Sequence, residues 1–372
     1  LDGSKNTSMT FGVGLIGCGF IGRFHARTIR DVARGGSNLG PHGVDYHAVC
    51  DRELERAKAF AELAGCTVAT TDAHAVIGSP NVEAVYICTE TVEHVDLVIE
   101  AARAGKHVFC EKPLATNLED ARRMHAAVTA AGVTHQVGLV LRFSPVCRVI
   151  EDLMQQQDLG ALLAIQMRDD QFFPVRGQYA SSWRGDVTKA GGGTLIEHSI
   201  HDIDLIVRLA GDVDRVRCRT RNVSGHAGVE DVAIVTLEHR DGHSTQLSSI
   251  WHSMDDRPST RRLEIFFEGG YIATDHDYFG SVTYQGRSGD AKTLSADDVL
   301  ARYMNLEKLD PVDYDLRSLG GLCDRAFLDA AIAKRQTRPS FADALVAHEI
   351  VEACYRSAAH GREITLAEVR AT

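Results

Sequence analysis

The first half of the chain alternates short apolar runs with longer segments of helical periodicity. Strands are predicted for "FGVGLI", "VDYHAVCD", "EAVYICT" (83–89), "HVFCE" (107–111) and "THQVGLVLRF" (134–143), and helices for "VEHVDLVIEAARAG" (92–105) and "TNLEDARRMHAAVTAAG" (116–132). Thr116 and Glu119 match a T-x-x-E capping box at the start of the second helix. Repeated strand–helix units predict a parallel, doubly wound sheet over residues 9–143, with ligands at the carboxyl ends of its strands.

In the second half the pattern changes to longer alternating segments joined by polar turns. The segments with strand periodicity are "ALLAIQMRDD", "DRVRCRTRNV", "DVAIVTLEHRD", "STQLSSIWHS" and "RRLEIFFEGGYIATD". A final helix, "FADALVAHEIVEACYRSAAHG", is expected to stop at Gly361. Because 372 residues exceed the length at which single cores stop growing, we predict a second domain over residues 144–372.

Composition indicates an ordinary soluble globular protein and argues against two classes of partner. The net charge of −11 disfavours nucleic acid, whose phosphates require clustered Lys and Arg. No apolar run approaches the roughly 20 residues of a membrane-spanning helix. The opening "LDGSKNTSM" lacks the apolar core of a signal peptide, so we expect a natural start at Met9 and a cytoplasmic protein.

The nine cysteines are expected to be reduced thiols. Their number is odd, no C-x-x-C pair occurs, and several stand inside apolar runs such as "AVYIC" and "HVFC". Such thiols behave as small buried hydrophobic groups. This pattern favours reduced thiols in a cytosolic protein over cysteines paired in disulfides or bound to zinc.

A glycine-rich turn follows the first predicted strand. Gly17, Gly19 and Gly22 enclose Cys18, Phe20 and Ile21 in a G-x-G-x-x-G motif that opens a helical pattern. In this context the glycine backbone can approach a dinucleotide pyrophosphate at the helix N-terminus. The alternative is a tight turn that needs glycine only for its dihedral angles.

The second predicted strand ends at Asp51, which can hydrogen-bond the ribose hydroxyls of NAD and repel the 2′-phosphate of NADP. The distance from the glycines exceeds the usual ~20 residues, and the turn-rich insertion "RGGSNLGPHGV" accounts for the excess. Arg52 follows and could accept a 2′-phosphate, so NAD is favoured over NADP without excluding it. An exposed Asp at a strand end is the structural alternative.

Glu111, Lys112 and Pro113 stand at the carboxyl end of another predicted strand, where this fold places its ligands. A lysine there could orient a hydroxyl and stabilise developing alkoxide charge. Pro113 would make the turn rigid, and a cis bond is one way to do so. The alternative is a strand-end salt bridge followed by a turn.

The stretch "EHSIHDID" (197–204) concentrates polar side chains within a predicted glycine-led helix from Thr194 to about Ala210. Thr194 and Glu197 match a capping box, so Glu197 could serve only as a cap. The buried stripe is expected to hold Ile196, Ile200, Ile203 and Val207, and the second face Glu197, His201, Asp204 and Arg208.

A histidine flanked by carboxylates suits a general base, which makes His201 a catalytic candidate. The alternatives are a solvated helix face and a metal site. His198 with Asp202, or His201 with a carboxylate, could bind a cation, but no H-E-x-x-H motif or cysteine pair supports this. We therefore predict no metal site.

Taken together, three segments resemble the glucose–fructose oxidoreductase / inositol dehydrogenase (Gfo/Idh/MocA) family of NAD(P)-dependent sugar and polyol dehydrogenases. They are "GLIGCGFIG", "HVFCEKPLA" and "GGGTLIEHSIHDIDL", in the family's order and approximate spacing. The resemblance runs from about Thr10 onward. It implies an N-terminal Rossmann-type domain and a C-terminal α+β domain with an open, mainly antiparallel sheet. It also implies a homodimer or homotetramer, whose contacts cover the open sheet.

The resemblance implies that Lys112 contacts substrate and nicotinamide, and that His201 takes or returns the hydroxyl proton. Glu197 stands where the family usually has Asp, four residues before the histidine. The extra methylene keeps the charge but displaces it, and so places its role as catalytic partner in question.

The segment "TETVEH" (89–94) resembles the family pattern T-P-N-x-x-H, a cofactor-binding segment. Thr89 and His94 match, whereas Glu90 replaces proline and Thr91 replaces asparagine. This departure places an acid close to the expected cofactor. His25 matches the histidine of the family's G-x-G-x-x-G-x-x-H, and Glu111 joins Lys112 at the cofactor site by the same resemblance.

For the substrate, the resemblance points to a site between the domains that includes Arg142, Trp183 with Arg184, and His198. Trp183 could stack on the apolar face of a sugar ring; the alternative is a core tryptophan. The expected reaction is oxidation of a secondary hydroxyl of a cyclic polyol or sugar, of the inositol or hexopyranose type. An NAD-dependent glycosidase of the same fold and a dinucleotide-binding sensor without turnover are the alternative functions.

Overall fold

The structure is a computed structural model that describes residues 10–34, 43–177, 180–309 and 321–372. The expected start at Met9 and most of the insertion between the first two strands lie outside the described residues. The chain forms two compact units. Of the described residues, the first unit holds 10–114, 122–138 and 321–341, and the second holds 115–121, 139–309 and 342–372. A segment near the C-terminus thus belongs to the first unit.

Within the described residues, the first unit contains a six-stranded sheet whose pairs are all parallel. Its strands are β1 (Phe11–Ile16), β2 (Val44–Cys50), β3 (Val68–Thr70), β4 (Ala84–Ile87), β5 (His107–Cys110) and β6 (His135–Val137). Their order across the sheet is β3-β2-β1-β4-β5-β6. Every residue of β1 and β4 is buried, as expected of parallel strands covered on both faces. The predicted doubly wound sheet is confirmed.

The second sheet has nine strands in the described residues, in the order β14-β13-β12-β11-β7-β10-β9-β8-β15. Only the β7–β10 pair is parallel among its described pairs. This confirms the prediction of an open, mainly antiparallel sheet. The strands are β7 (Leu162–Phe172), β8 (Val213–Arg221), β9 (Val232–His239), β10 (Ser244–His252), β11 (Thr260–Phe267), β12 (Gly270–Thr274), β13 (Val282–Gln285), β14 (Lys292–Leu294) and β15 (Ile364–Thr365).

The described α-helices include the segments predicted to be helical and several others that the sequence analysis did not predict, four of them with 11 or 12 residues. They are α1 (Phe20–Arg34), α2 (Leu54–Ala64), α3 (Ala73–Ile77), α4 (His94–Arg103), α5 (Leu118–Ala131), α6 (Pro145–Gln156), α7 (Val187–Ala190), α8 (Thr194–Glu197), α9 (Ile200–Ala210), α10 (Ala296–Glu307), α11 (Leu322–Ile332), α12 (Phe341–His360) and α13 (Leu366–Arg370). Short 3₁₀ helices cover Thr91–Glu93, Val140–Phe143 and Ser182–Gly185. No helix in the described ranges is long and apolar enough to cross a membrane.

Two local predictions in the first half were wrong. The strand predicted over 134–143 ends at Val137, because the sheet bond from the Gly138 N–H to the Cys110 carbonyl is followed by a turn at Leu139. The predicted capping box of α5 does not form. Instead the Asn117 side chain accepts the N–H of Asp120 at 2.9 Å and caps the helix.

The last helix and the cysteines agree with the sequence. Helix α12 ends before Gly361, which has a φ of 64° and supplies the left-handed residue that often ends a helix. On the same helix, the Ser357 hydroxyl accepts the N–H of Cys218 and so ties α12 to β8. All nine cysteines are free thiols, and eight of them are buried. Burial raises the pKa of the Cys147 thiol to about 12, so it behaves as an apolar group.

Candidate functional site

The glycine turn after β1 has the backbone that a dinucleotide requires. Gly17 has a φ of 100°, and a Cβ there would lie 2.5 Å from the Cys88 carbonyl. A Cβ on Gly22 would lie 2.2 Å from the Gly17 carbonyl oxygen, so these two glycines permit close packing of backbone. A Cβ on Gly19 would meet nothing within 4 Å, which leaves open space at the N-terminus of α1. The turn therefore fits a pyrophosphate.

Asp51 links the end of β2 to this turn. Its Oδ2 accepts the Cys18 N–H at 3.0 Å, and its Oδ1 accepts the Glu53 N–H at 3.0 Å and contacts Arg56 at 3.2 Å. The buried carboxylate thus lies against the glycine turn, where a ribose would follow a pyrophosphate. Phe20 and Ile21 begin α1, and the Phe20 side chain is exposed.

The residue after Asp51 has a partner on another strand. The Nη2 of Arg52 lies 2.5 Å from Oε1 of Glu90, which follows β4. Thr89, just before, packs its backbone against Gly17. The acid that departs from the family pattern therefore lies at the expected cofactor edge and is ion-paired there.

His94 is buried beneath the same edge. Its Nε2 lies 3.3 Å from the Thr89 carbonyl oxygen, and its Nδ1 lies 3.1 and 3.2 Å from the carbonyl oxygens of Pro113 and Leu114. Burial lowers the pKa of His94, so the ring is neutral at physiological pH. These contacts fix the turn after β4 against the turn after β5.

Lys112 follows β5 and is held through Glu111. The Glu111 Oε2 accepts the Lys112 N–H at 3.0 Å, and its Oε1 lies 2.9 Å from Nε2 of His25. The Nδ1 of His25 lies 2.7 Å from Asp324 on α11. The Lys112–Pro113 peptide bond is cis. A Cβ on Gly138 would lie 2.6 Å from Glu111, so this glycine makes room for the carboxylate.

The histidine-rich stretch in the second unit is interrupted, which differs from the predicted continuous helix. Helix α8 stops at Glu197, and α9 starts at Ile200. At the break, the Ser199 N–H bonds back to the Thr194 carbonyl at 2.8 Å, and the Ser199 hydroxyl bonds to Ser249 at 2.6 Å. The predicted buried stripe holds for Ile196, Ile200 and Ile203, whereas Val207 is only partly buried.

The prediction that Thr194 and Glu197 form a capping box was wrong. Gly193 is the N-cap residue of α8 and has no side chain to cap the helix, and the Thr194 hydroxyl bonds to Ser249 instead. The Glu230 carboxylate accepts the N–H groups of Gly193 and Leu195 at 2.7 and 2.9 Å. A distant acid thus caps α8 and leaves Glu197 for another role.

Glu197 is buried and ion-paired with a residue from the segment that precedes α7. The Nε of Arg184 donates to its Oε2 at 2.8 Å, and the Arg184 guanidinium also lies 4.5 Å from the centre of the Trp183 ring. Trp183 and Arg184, which the sequence proposed together for the substrate site, therefore form one cluster with Glu197. Trp183 is partly exposed rather than a core side chain.

His198 lies in the break and His201 follows it, and His198 is ion-paired with a residue of β7. The Nε2 of His198 lies 2.9 Å from Oδ2 of Asp169 on β7, and Arg261 of β11 reaches the same oxygen at 3.1 Å. Burial disfavours ionisation of Asp169, but Arg261 and His198 outweigh it and hold the pKa of Asp169 below its usual range. His201 lies in the first turn of α9 and is 9% exposed.

Arg142 lies in the 3₁₀ helix that follows β6 and is buried. It forms a bidentate pair with Asp204, at 2.8 and 2.6 Å, and a third bond with Asp343 at 3.1 Å. Asp204 and Arg208 belong to the helix face that the sequence predicted. Asp204 pairs with Arg142, and Arg208 pairs with Glu151. These ion pairs hold α9 in place.

Sequence reasoning missed Asp324, Glu230 and Asp169, the three buried carboxylates that hold site residues. Each is far along the chain from its partner, as in the 299 positions between His25 and Asp324. No local motif reports such a pair; the only signal was the match of His25 to a family pattern. Among the described residues, no group of three or more His, Cys, Asp or Glu side chains could hold a metal ion.

Comparison with known proteins assigns the family. Residues 11–139 match the family described as "Oxidoreductase family, NAD-binding Rossmann fold", and residues 147–273 match the "GFO/IDH/MocA C-terminal domain". Together the two matches cover more than half of the chain. They agree with the glycine turn and the acid at the end of β2, and they confirm the predictions of an oxidoreductase and of NAD as cofactor.

Named relatives support the same assignment. The inositol 2-dehydrogenase of Rhizobium meliloti (strain 1021) is 28% identical over 370 residues, which cover 96% of this chain and 100% of that protein. The myo-inositol 2-dehydrogenase of Thermotoga maritima is 29% identical over 306 residues, 80% of this chain and 85% of that protein. A solved levoglucosan dehydrogenase in complex with NADH has the same fold, with a TM-score of 0.85, 22% identity and coverage of 96% and 99%. The chain belongs to the Gfo/Idh/MocA family of NAD-binding oxidoreductases.

Proposed function

We propose that the protein is an NAD-dependent dehydrogenase that oxidises a secondary hydroxyl of a cyclic polyol or sugar. One observation carries the proposal: the glycine turn, Asp51, Thr89 and Lys112 follow β1, β2, β4 and β5, which end at one edge of a parallel sheet. Ligands of such sheets bind at this edge. Lys112, which follows β5, therefore lies at the same edge of the sheet as the glycine turn after β1, where we propose that the cofactor binds.

Lys112 is proposed to stabilise negative charge on the substrate oxygen. Its backbone is fixed by Glu111, which His25 holds in turn, so the side chain starts from a defined point. A positioned ammonium group lowers the cost of alkoxide character as the C–H bond breaks. Bound NAD supplies the hydride acceptor.

His201 is proposed as the base that takes the hydroxyl proton. The overall change is balanced: the carbon loses a hydride to the cofactor, the oxygen loses a proton to His201, and a ketone remains. The helix break supports this role, because it places His201 in a first helical turn beside a second histidine, His198, and after the buried Glu197. We propose that Glu197 tunes the base and that Arg184 orients Glu197.

The substrate class is inferred from relatives and from the cluster around Glu197. The relatives from Rhizobium meliloti and Thermotoga maritima are named as inositol dehydrogenases, and one structural neighbour is a levoglucosan dehydrogenase. Trp183, with Arg184 against its ring, offers the aromatic face that the apolar side of a sugar ring favours. His198 supplies a polar group for hydroxyls.

The test is a rate measurement with variants matched to controls. Purified protein is mixed with NAD and a panel of inositols, hexoses and anhydro-sugars, and NADH absorbance is followed. Lys112→Met and His201→Asn should each lower kcat by at least about 100-fold, since one removes the charge that stabilises the oxyanion and the other removes the general base. His201→Asn should leave the Kd for NAD nearly unchanged. Lys58→Met and His74→Asn, at exposed ion pairs, serve as controls. Unchanged turnover in His201→Asn would remove His201 from the mechanism.

The same panel separates the alternatives. A glycosidase of this fold would cleave a glycoside with no net change in NAD, so products are analysed by chromatography as well as by absorbance. A sensor would bind NAD and turn over nothing. NADH formation that depends on substrate supports the dehydrogenase alone.

We also propose that the protein is a homo-oligomer that covers the open sheet face. Ile234 on β9 and Phe266 on β11 are 49% and 37% exposed. Ile234 pairs with Ser248 of β10, and Phe266 pairs with Ala164 of β7, so both side chains belong to the same sheet. Light scattering should give the mass of a dimer or tetramer. Ile234→Arg should reduce that mass, whereas a monomeric wild-type protein would contradict the proposal.

A further inference from the structure

The residues after β2 give opposite indications for the cofactor. Asp51 disfavours a 2′-phosphate, because it would place two negative groups together. Arg52 would favour one, because a guanidinium binds phosphate through paired hydrogen bonds. The sequence alone leaves the balance between them open, and the contact made by Arg52 decides it.

Arg52 is ion-paired across the edge of the sheet. It follows β2, whereas Glu90 follows β4, and β1 lies between these strands. The 2.5 Å contact from Nη2 to Oε1 therefore spans the carboxyl end of β1, where the glycine turn begins. The Glu90 side chain is 13% exposed and the Arg52 side chain 58%. The position of Glu90 is thus fixed by its burial, and Glu90 in turn holds the more exposed Arg52 side chain.

The electrostatics of the pair agree with this geometry. The hydrogen bond with Glu90 is the main reason that the pKa of Arg52 is raised, and the charge of Glu90 adds to it. A neutral side chain or a proline at position 90 could not hold a guanidinium in this way. Position 90 is also the place where this chain carries an acid in a segment otherwise expected to bind the cofactor.

We propose that Glu90 is a specificity-determining residue, which holds the Arg52 guanidinium and so denies it to the 2′-phosphate of NADP. Glu90 disfavours the 2′-phosphate in two ways. It pairs with the Arg52 guanidinium, and its own negative charge adds to the charge of Asp51. The inference rests on the proposed dinucleotide site. An arginine directly after the acid then does not favour NADP, because Glu90 holds it.

The test is a double-mutant cycle read out by binding. Calorimetry gives the Kd for NAD and NADP in the wild type, Glu90→Gln, Arg52→Gln and the double variant. The fragments 5′-AMP and 2′,5′-ADP, which differ in the 2′-phosphate, are measured in parallel. Glu90→Gln should tighten NADP and 2′,5′-ADP by about tenfold, as expected for removal of one nearby charge and release of another, with NAD changed less than about threefold.

The double variant identifies the cause. If the tighter NADP binding of Glu90→Gln disappears when Arg52→Gln is added, the released guanidinium binds the 2′-phosphate. A gain of equal size in both backgrounds, or no gain in Glu90→Gln, would overturn the proposal. Glu100→Gln, which removes an acid paired to His74, is the control for general charge and should leave NADP binding unchanged. Absence of NAD binding in the wild type would instead overturn the proposed dinucleotide site.

Discussion

The Nε2 atom of His25 lies 2.9 Å from Oε1 of Glu111, the residue that immediately precedes Lys112. The other ring nitrogen lies 2.7 Å from Asp324, and the Thr28 hydroxyl also bonds to that aspartate. A histidine on α1 thus joins a carboxylate on α11 to the turn that carries the proposed catalytic lysine. Because both ring nitrogens face carboxylates, the cationic ring, which donates from both, is the favoured form.

This arrangement predicts a pH dependence of stability. Burial alone would lower the pKa of His25, but Asp324 and Glu111 outweigh it and raise the pKa from 6.5 to about 10. The folded state then holds a proton that the unfolded state releases above pH 6.5. The protonated His25 ring therefore contributes fully to the free energy of unfolding below that pH. Its contribution declines as the pH rises toward 10, by up to about 1.4 kcal/mol per pH unit.

The measurement compares the free energy of unfolding of the wild type and of His25→Gln across this range. The difference between the two proteins should shrink steadily from pH 7 to pH 10. His74→Gln, at an exposed pair with Glu100, is the control. Curves for His25→Gln and the wild type that run parallel would show that the ring is not cationic in the folded protein.

The glycine turn predicts that fold and cofactor binding can be separated at Gly19. A methyl group there meets no protein atom within 4 Å, so Gly19→Ala should fold with an unchanged melting temperature. The same methyl group enters the space proposed for the pyrophosphate, so the Kd for NAD should rise at least about tenfold. Gly43→Ala, whose methyl group would make only an ordinary contact with the Thr10 side chain at 4.0 Å, is the control. NAD binding of wild-type strength in Gly19→Ala would place the cofactor elsewhere.

The Arg184–Glu197 pair predicts a coupled effect on stability. Removal of the cation in Arg184→Met leaves a buried carboxylate without its arginine and should cost about 3 kcal/mol. Glu197→Gln in the same chain removes that charge and should restore about half of the loss. Urea unfolding of the four proteins measures the coupling. Additive single effects would mean that the two side chains act independently.

Glu230 is expected to control the start of α8 from a distance. Its carboxylate accepts two backbone N–H groups and the Tyr355 hydroxyl, so Glu230→Ala should cost about 3 kcal/mol. Glu230→Gln keeps one carbonyl acceptor and should cost less. Because α8 carries Glu197, kcat should fall in the same order as stability, at a temperature where each variant is folded. Full activity in folded Glu230→Ala would contradict a positioning role.

The parts of the fold that depend on local pattern could be predicted from sequence. Alternating strands and helices fix a parallel sheet, and the glycine spacing fixes the turn that opens α1, because both depend on residues within one strand–helix unit. The end of α12 at Gly361 follows from the same kind of local signal.

The parts that depend on distant partners could not be predicted. Thr194 and Glu197 have the spacing of a capping box, yet Glu230 caps the helix and Arg184 takes Glu197. Asp169 and Ser249 are neighbours on adjacent strands, and both bond to the Ser199 hydroxyl at the helix break. We attribute the break to these bonds. Tertiary hydrogen bonds of this kind override local preference, since each satisfies a buried polar atom.

The proposed function requires hydride transfer to NAD from a cyclic polyol or sugar. The most direct measurement is NADH formation by the purified protein with NAD and the panel of inositols, hexoses and anhydro-sugars. We predict substrate-dependent NADH formation with at least one of them, much weaker with NADP. Tight NAD binding without NADH formation from any substrate would contradict the proposed dehydrogenase.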